Sequence, residues 1–268
     1  MRGFVGFFGL TRSLRWTAQS IRAQFYEPLA AAGITTLRAG HFNVPSVITN
    51  PRSGEAAIVP DRNECALLDL ELCWVEPQED TAVATELEVG RCFPDAFGDE
   101  YQSLANLCHQ LFSLRRLWSL LELLGVGDDD VVLLLRPDLF YLDALAPASQ
   151  LKRLIDGCVD LIVPSWQSWG GLNDRFAFCT GRAARAYASR IELFADGCVS
   201  LGTMHGERFL NFLVRERHLR VELTDLRAVR VRANGLIAAN DLGLVSVDTR
   251  HSSKVIPSRP PIRSLNVS

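Results

Sequence analysis

Val131-Val132-Leu133-Leu134-Leu135 is an unbroken run of branched aliphatic residues. It is entered from Asp128-Asp129-Asp130 and stopped by Arg136-Pro137-Asp138. A strand that is apolar at every position is buried on both faces. It therefore belongs inside a sheet that helices cover on both sides. Ligands of open α/β sheets sit outside the carboxyl ends of the strands, which makes Arg136 and Asp138 candidate site residues. The pair also has a plainer reading, in which Asp138 caps the next turn and Arg136 pairs with it.

The chain has 268 residues, 48% hydrophobic and 22% charged, enough to bury the core of one large domain. A formal net charge of -3 argues against a general nucleic-acid binder. The seven cysteines are odd in number and form no Cys-x-x-Cys pair. This argues against a disulfide framework or a zinc site and points to free thiols in a cytoplasmic protein. The apolar stretch from Phe4 to Leu10 is too short for a membrane span. Arg12 and Arg15 follow it and no small-residue cleavage site does, so neither a span nor a signal peptide is expected.

Phe4 to Gly9 reads as a first strand, followed by the loop Gly9-Leu10-Thr11-Arg12-Ser13. Leu14, Ala18, Ile21, Phe25 and Leu29 recur at helical spacing after it. Thr11 or Ser13 is the expected N-cap. A glycine loop, an arginine and a helix N-terminus make a seat for an anion, although an ordinary strand-to-helix turn has the same look. Gly3, Gly6 and Gly9 do not match the dinucleotide fingerprint. From Gly33 to Asp99 the signal is weak, with strands expected at Thr35–Phe42 and Leu70–Val75. Asp99 to Leu124 is the clearest helix, closed by Gly125, and Asn106 and Gln110 share one of its faces. Phe140 to Leu154 reads as partly helical, and Val159 to Val163 as a further strand ended by Pro164.

The densest segment runs from Ser165 to Cys179. Trp166, Trp169, Gly170, Gly171, Asn173 and Asp174 crowd between two strands. Tryptophans stack on sugars or bases, glycines let the backbone approach a ligand, and Asn and Asp bind hydroxyls. A tight turn with core tryptophans is the plainer alternative. A helix from Gly181 to Phe194 follows. His205 and Glu207 stand at the start of a later helix, where Glu207 also suits the helix dipole. Strands are expected at Leu219–Leu223 and Ala228–Val231, with a turn at Arg232-Ala233-Asn234-Gly235.

Four of these segments together resemble nucleotide-sugar glycosyltransferases of the GT-A type, in particular uncharacterised bacterial and viral glycosyltransferase-like proteins. They are Gly9 to Ser13, Asn106 to Leu114, Arg136 to Asp138, and Gly170 to Phe176. The resemblance implies an α/β fold, with a GT-A-like (Rossmann-like), mostly parallel central sheet flanked by helices. It implies one such domain over residues 1–248, while the composition of 249–268, rich in Ser, Pro and Arg, reads as an extended or disordered tail. Gly9, Arg12, Ser13, Asn106, Gln110, Arg136 and Asp138 would hold the nucleotide-diphosphate sugar. Trp166, Trp169, Gly170, Gly171 and Asn173 would line the sugar or acceptor pocket. Asp174 is the first candidate for the base that activates the acceptor hydroxyl and Glu207 the second. Arg136-Pro137-Asp138 stands where the family carries Asp-x-Asp, whose carboxylates hold magnesium or manganese. Asp138 and His205 would be the ligands here, but an arginine replaces the first acid, and Arg136 is suited to offset diphosphate charge itself. The implied activity is sugar transfer to a glycan or other hydroxyl acceptor in surface glycan or polysaccharide assembly. The competing expectation is a non-catalytic relative that binds a nucleotide or glycan. A methyltransferase is a third, for which an acid ending the second strand is missing. Oligomeric state is not legible.

Overall fold

Side-chain alternation along the first strand sorts the core into two layers. In the computed structural model, which describes residues 2–50 and 54–245, β1 (Arg2–Gly9) sends Phe4 and Phe8 to one face and Val5 and Phe7 to the other, all fully buried. α1 (Leu14–Ile21) runs through a single π turn (Arg22–Tyr26) into α2 (Glu27–Ala31). The expected stripe of Leu14, Ile21, Phe25 and Leu29 is buried against the second face. Then come β2 (Thr35–Val44), a small hairpin of β3 (Ile48–Asn50) and β4 (Glu55–Ile58), and the edge strand β5 (Leu72–Pro77). After α3 (Ala84–Arg91), the long α4 (Gln102–Leu123) lays Leu104, Leu111, Leu114, Leu117 and Leu121 on the first face. Each such leucine contributes about 1.5–3 kcal/mol of burial. Gly125, at φ +79°, ends α4 as its position suggested.

The aliphatic run is β6 (Val131–Leu135), buried at every position. β7 (Leu139–Tyr141), α5 (Pro147–Gln150), α6 (Lys152–Ile155) and β8 (Leu161–Pro164) follow. The chain continues through β9 (Ala177–Thr180), α7 (Gly181–Ala188), α8 (Phe194–Leu201) and α9 (Gly206–Glu216). It closes with β10 (Val221–Thr224), β11 (Ala228–Arg230) and α10 (Leu242–Val245). The single helix expected from Gly181 to Phe194 is interrupted after Ala188 by a 3-10 turn, Arg190–Leu193. There Arg190 turns inward and donates to the Tyr187 carbonyl at 2.8 Å. The tail expected over 249–268 lies outside the described residues.

The main sheet has seven strands in the order β10-β8-β9-β6-β1-β2-β5, so β6 is its middle strand. β1 pairs in parallel with both β6 and β2, β2 with β5, and β8 with β10. Only β9 runs antiparallel, between β6 and β8. The sheet is thus mostly parallel and helix-flanked, as expected. Among the described residues no helix is long and apolar enough to cross a membrane. The reversal of β9 matters for the site. Leu134 pairs with Ala177, so the loop entering β9 arrives beside the carboxyl end of β6. The densest segment of the sequence therefore lands next to Arg136.

Candidate functional site

The loop after β1 and the end of β6 are neighbours because their strands pair. Arg12 donates from Nη2 to Asp138 Oδ2 at 2.8 Å. Arg136 grips the same carboxylate with Nε on Oδ1 at 2.9 Å and Nη2 on Oδ2 at 2.8 Å. Asp138 is almost fully buried. Burial alone would raise its carboxyl pKa, but Arg136 and then Arg12 outweigh it and hold the group far below the usual carboxylate range. The plainer reading of Arg136-Pro137-Asp138 is thus correct as far as it goes, since the two side chains do pair.

From Arg136 a chain of polar contacts crosses to the β8–β9 loop. Arg136 Nη1 donates to Gln110 Oε1 at 3.0 Å, and Gln110 Nε2 donates to Asp174 Oδ2 at 2.9 Å. The buried Arg190 lies 3.6 Å from the same Asp174 oxygen. Tyr187 Oη donates to the Asp174 carbonyl at 3.0 Å. Arg175, also buried, stacks its guanidinium 5.0 Å from the Trp166 ring centre and pairs with Asp241 at 3.2 Å. Arg230 holds the other side of Asp241. Arg12 also lies 4.0 Å from Glu55, which accepts from the Ala233 N–H at 2.7 Å and so anchors the turn carrying Arg232. Arg175 is pushed down to about 10 by burial and then by Arg230, and Arg232 to about 10 by burial and then by Arg12. Across the cluster, six guanidiniums (Arg12, Arg136, Arg175, Arg190, Arg230, Arg232) meet four carboxylates (Glu55, Asp138, Asp174, Asp241) among the described residues.

Not every expected residue joins this cluster. Asn106 is exposed, and its Oδ1 faces Gln102 Nε2 at 3.5 Å, one turn away from Gln110. Asn173 is fully buried; its Nδ2 donates to the Trp166 carbonyl at 2.6 Å and its Oδ1 accepts from the Arg175 N–H at 3.0 Å. It ties the loop together and has no face left for a hydroxyl. Trp166 is half-buried and donates from Nε1 to the Leu226 carbonyl, whereas Trp169 is 55% exposed. Gly170 has φ +80°. A Cβ on Gly171 would stand 2.0 Å from the Glu207 carbonyl oxygen, which accepts from the Leu172 N–H at 2.9 Å. The loop therefore lies directly on the first turn of α9. His205 pairs with Glu207 at 2.9 Å and stacks on Phe97.

The anion seat expected at the start of α1 is already filled from within. Ser13 stands at the N-cap without a side-chain cap bond. The buried Glu64 accepts from the Leu14 N–H at 3.0 Å and from Arg15 Nε at 2.6 Å. A carboxylate thus satisfies the helix dipole where a phosphate was expected. The hydroxyls of Thr11 and Ser13 are buried and have no hydrogen-bond partner among the described residues. Gly9, at φ +102°, donates its N–H to Ser113 Oγ at 2.8 Å. Ser113 in turn faces His41, which Glu76 holds from the other side at 2.7 Å.

Magnesium or manganese, implied by the resemblance, takes about six oxygen ligands. Asp138 does not fit that role, because both its oxygens already accept from guanidiniums. His205 Nδ1 is turned to Glu207. Among the described residues no group of three or more His, Cys, Asp or Glu side chains is placed to hold a metal ion. The residues present do not match the expected metal site.

No protein-family model matches this sequence, and no curated protein matches it. Solved structures with a related chain course include mouse xyloside xylosyltransferase 1 in its apo form, at 12% identity and TM-score 0.39, covering 84% of this chain and 85% of that one. The galactosyltransferase LgtC, in complex with donor and acceptor sugar analogues, aligns at 14% identity and TM-score 0.40 over 80% and 70%. A Bacillus anthracis protein assigned as a glucose-1-phosphate thymidylyltransferase, in complex with sucrose, aligns at 8% and 0.43 over 91% and 93%. At this level of similarity no function follows, and the reading below rests on the chain's own geometry.

Proposed function

We propose that this protein transfers a sugar from a nucleotide-diphosphate donor to a hydroxyl of a glycan or other acceptor, with polysaccharide assembly as its setting. The observation that carries this reading is the meeting of Arg12 and Arg136 on Asp138, at the carboxyl ends of two adjacent parallel strands. Ligands of open α/β sheets bind at such strand ends, and paired guanidiniums suit a diphosphate.

In the reaction, an acceptor oxygen bonds to the anomeric carbon while the bond from that carbon to the diphosphate oxygen breaks. Negative charge builds on the departing nucleoside diphosphate, where fixed guanidiniums stabilise it. The acceptor proton passes to a carboxylate if configuration inverts. Asp174 lies at the meeting of the β8–β9 loop with α4, but it also neutralises Arg190. Glu207, partly exposed and beside Gly171, is the alternative base. Trp169 supplies an exposed ring on which a sugar face can stack.

A second reading has a specific observation in its favour. Asp138 and Asp174, the two carboxylates nearest this chemistry, are both engaged by arginines, which suits a protein that binds a nucleotide sugar without turning it over. A thermal-shift panel of UDP-, GDP-, CMP- and dTDP-sugars, followed by assay of nucleotide release from whichever binds, separates the two. Binding with release supports the transferase, and binding without release supports the second reading. No shift with any donor sinks both.

A further inference from the structure

We infer that the strand-end site binds diphosphate through guanidinium groups alone, with no divalent cation between protein and ligand. This deepens the nucleotide-sugar reading above and rests on it.

Three observations carry the inference. The first is the saturation of Asp138. Its Oδ1 accepts from Arg136, and its Oδ2 accepts from both Arg136 and Arg12 at 2.8 Å. A cation at this carboxylate would have to displace two arginines and then stand beside them, like charge against like. The second is the charge balance. Among the described residues of the cluster, six guanidiniums face four carboxylates, an excess of two positive charges. A nucleotide sugar's diphosphate carries two negative charges. Arg232 is lowered to about 10 first by burial, with Arg12 and Arg230 adding to the shift and Asp138 and Glu55 opposing it. The third is a set of donors without acceptors. Arg12 Nε, Arg232 Nε and the hydroxyls of Thr11 and Ser13 are buried and unpartnered among the described residues. Buried polar groups are nearly always satisfied, so orphans gathered at the β1–α1 loop and the facing turn mark where acceptor oxygens belong. The dipole of α1 is not what binds them, since Glu64 occupies that terminus.

On this arrangement Asp138 is a stand-in for the ligand. It holds two guanidiniums in place until phosphate oxygens compete for them. Arginine remains protonated throughout, so binding consumes no proton at these groups.

The test is calorimetric titration of the intact chain with UDP, GDP, CDP and dTDP, and with inorganic pyrophosphate, in excess chelator and again in millimolar manganese. Paramagnetic resonance of free manganese is recorded alongside. The expected result is a dissociation constant that agrees within about twofold between the two conditions, with no manganese taken up by the protein. Arg12→Gln and Arg136→Gln should each weaken binding by about tenfold or more, as loss of a charge-assisted contact does. In Asp138→Asn, whatever affinity remains should still be the same in chelator and in manganese, because this carboxylate holds guanidiniums and no cation. Circular dichroism checks that each variant is folded, and the chelator comparison on the unaltered chain decides the matter without any variant. Nucleotide binding that needs manganese and disappears in Asp138→Asn overturns the inference and leaves the nucleotide reading standing. Metal-free binding of pyrophosphate with no preference for any nucleotide keeps the guanidinium site and removes the nucleotide reading. No binding of either ligand under either condition overturns both.

Discussion

Arg190 has its guanidinium 3.6 Å from the Asp174 carboxylate, and both side chains are buried. Two of the guanidinium nitrogens have no hydrogen-bond acceptor among the described residues. Asp174 is therefore the counter-ion that lets Arg190 stay inside. Removing one partner of a buried pair leaves an uncompensated charge and costs about 3–5 kcal/mol. Asp174→Ala should lower stability by that amount in urea denaturation, whatever it does to catalysis. A loss below about 1 kcal/mol would show that the pair is not structural. Activity of this variant has meaning only at a temperature where it is folded.

Trp169 makes the opposite case. It is 55% exposed, so Trp169→Ala should change stability by no more than about 0.5 kcal/mol. If it stacks on the acceptor sugar, KM for the acceptor should rise several-fold while kcat changes little. An unchanged KM would remove it from the site.

Gly171 cannot carry a side chain without moving the loop. A Cβ would come within 2.0 Å of the Glu207 carbonyl oxygen. Gly171→Ala should lift the loop from α9, break the Leu172–Glu207 backbone bond, and cost about 1–3 kcal/mol. The emission of the loop tryptophans should change with it. A variant as stable as the parent, with unchanged fluorescence, would contradict this packing.

His41 sets a pH dependence. It is fully buried in β2, and burial holds its pKa below the ordinary value of 6.5 despite the hydrogen bond it donates to Glu76. The unfolded chain takes up this proton before the folded chain does. Stability from neutral His41 is thus complete above about pH 6.5 and falls as the pH drops below it. Thermal midpoints measured from pH 7.5 to 5 should decline, and His41→Gln should flatten the decline. An equal slope in the variant would place the titrating group elsewhere. The effect reaches the site, since His41 and Ser113 fix the Gly9 N–H at the start of the Arg12 loop.

Much of the architecture was legible because it is written in local period. The aliphatic run of β6, the α4 stripe with its Gly125 stop, and the helix after β1 all follow from spacing. Thr35–Val44 and Leu72–Pro77 lie close to where weaker signals put them. The β3–β4 hairpin escaped notice, because short strands of mixed polarity carry no clear alternation. In the site, Arg12, Gln110, Arg136, Asp138 and Asp174 were picked out by residue type and position, and one network does connect them. Arg190 and Arg232 were missed. Arg190 lies in a stretch that reads as a plain amphipathic helix, and Arg232 in what reads as a turn. Asn173 was misplaced because a buried loop-tying amide and a ligand-binding amide look identical in sequence.

By itself, the sequence determined which segments are strands and helices and which faces they bury, since those follow from the spacing of apolar residues over a few turns. It also supplied the residue types that meet at the strand ends, arginines and acids close to strand boundaries. Only the tertiary structure decided what those charges do. The reversal of β9 brings Asp174 and Arg175 to the end of β6. Glu64, from a distant segment, takes the helix terminus that looked open to phosphate. Two arginines, one from the loop after β1 and one just past the end of β6, close on Asp138. Electrostatic partners are set by distance in space, and nothing in local spacing encodes which charge will meet which.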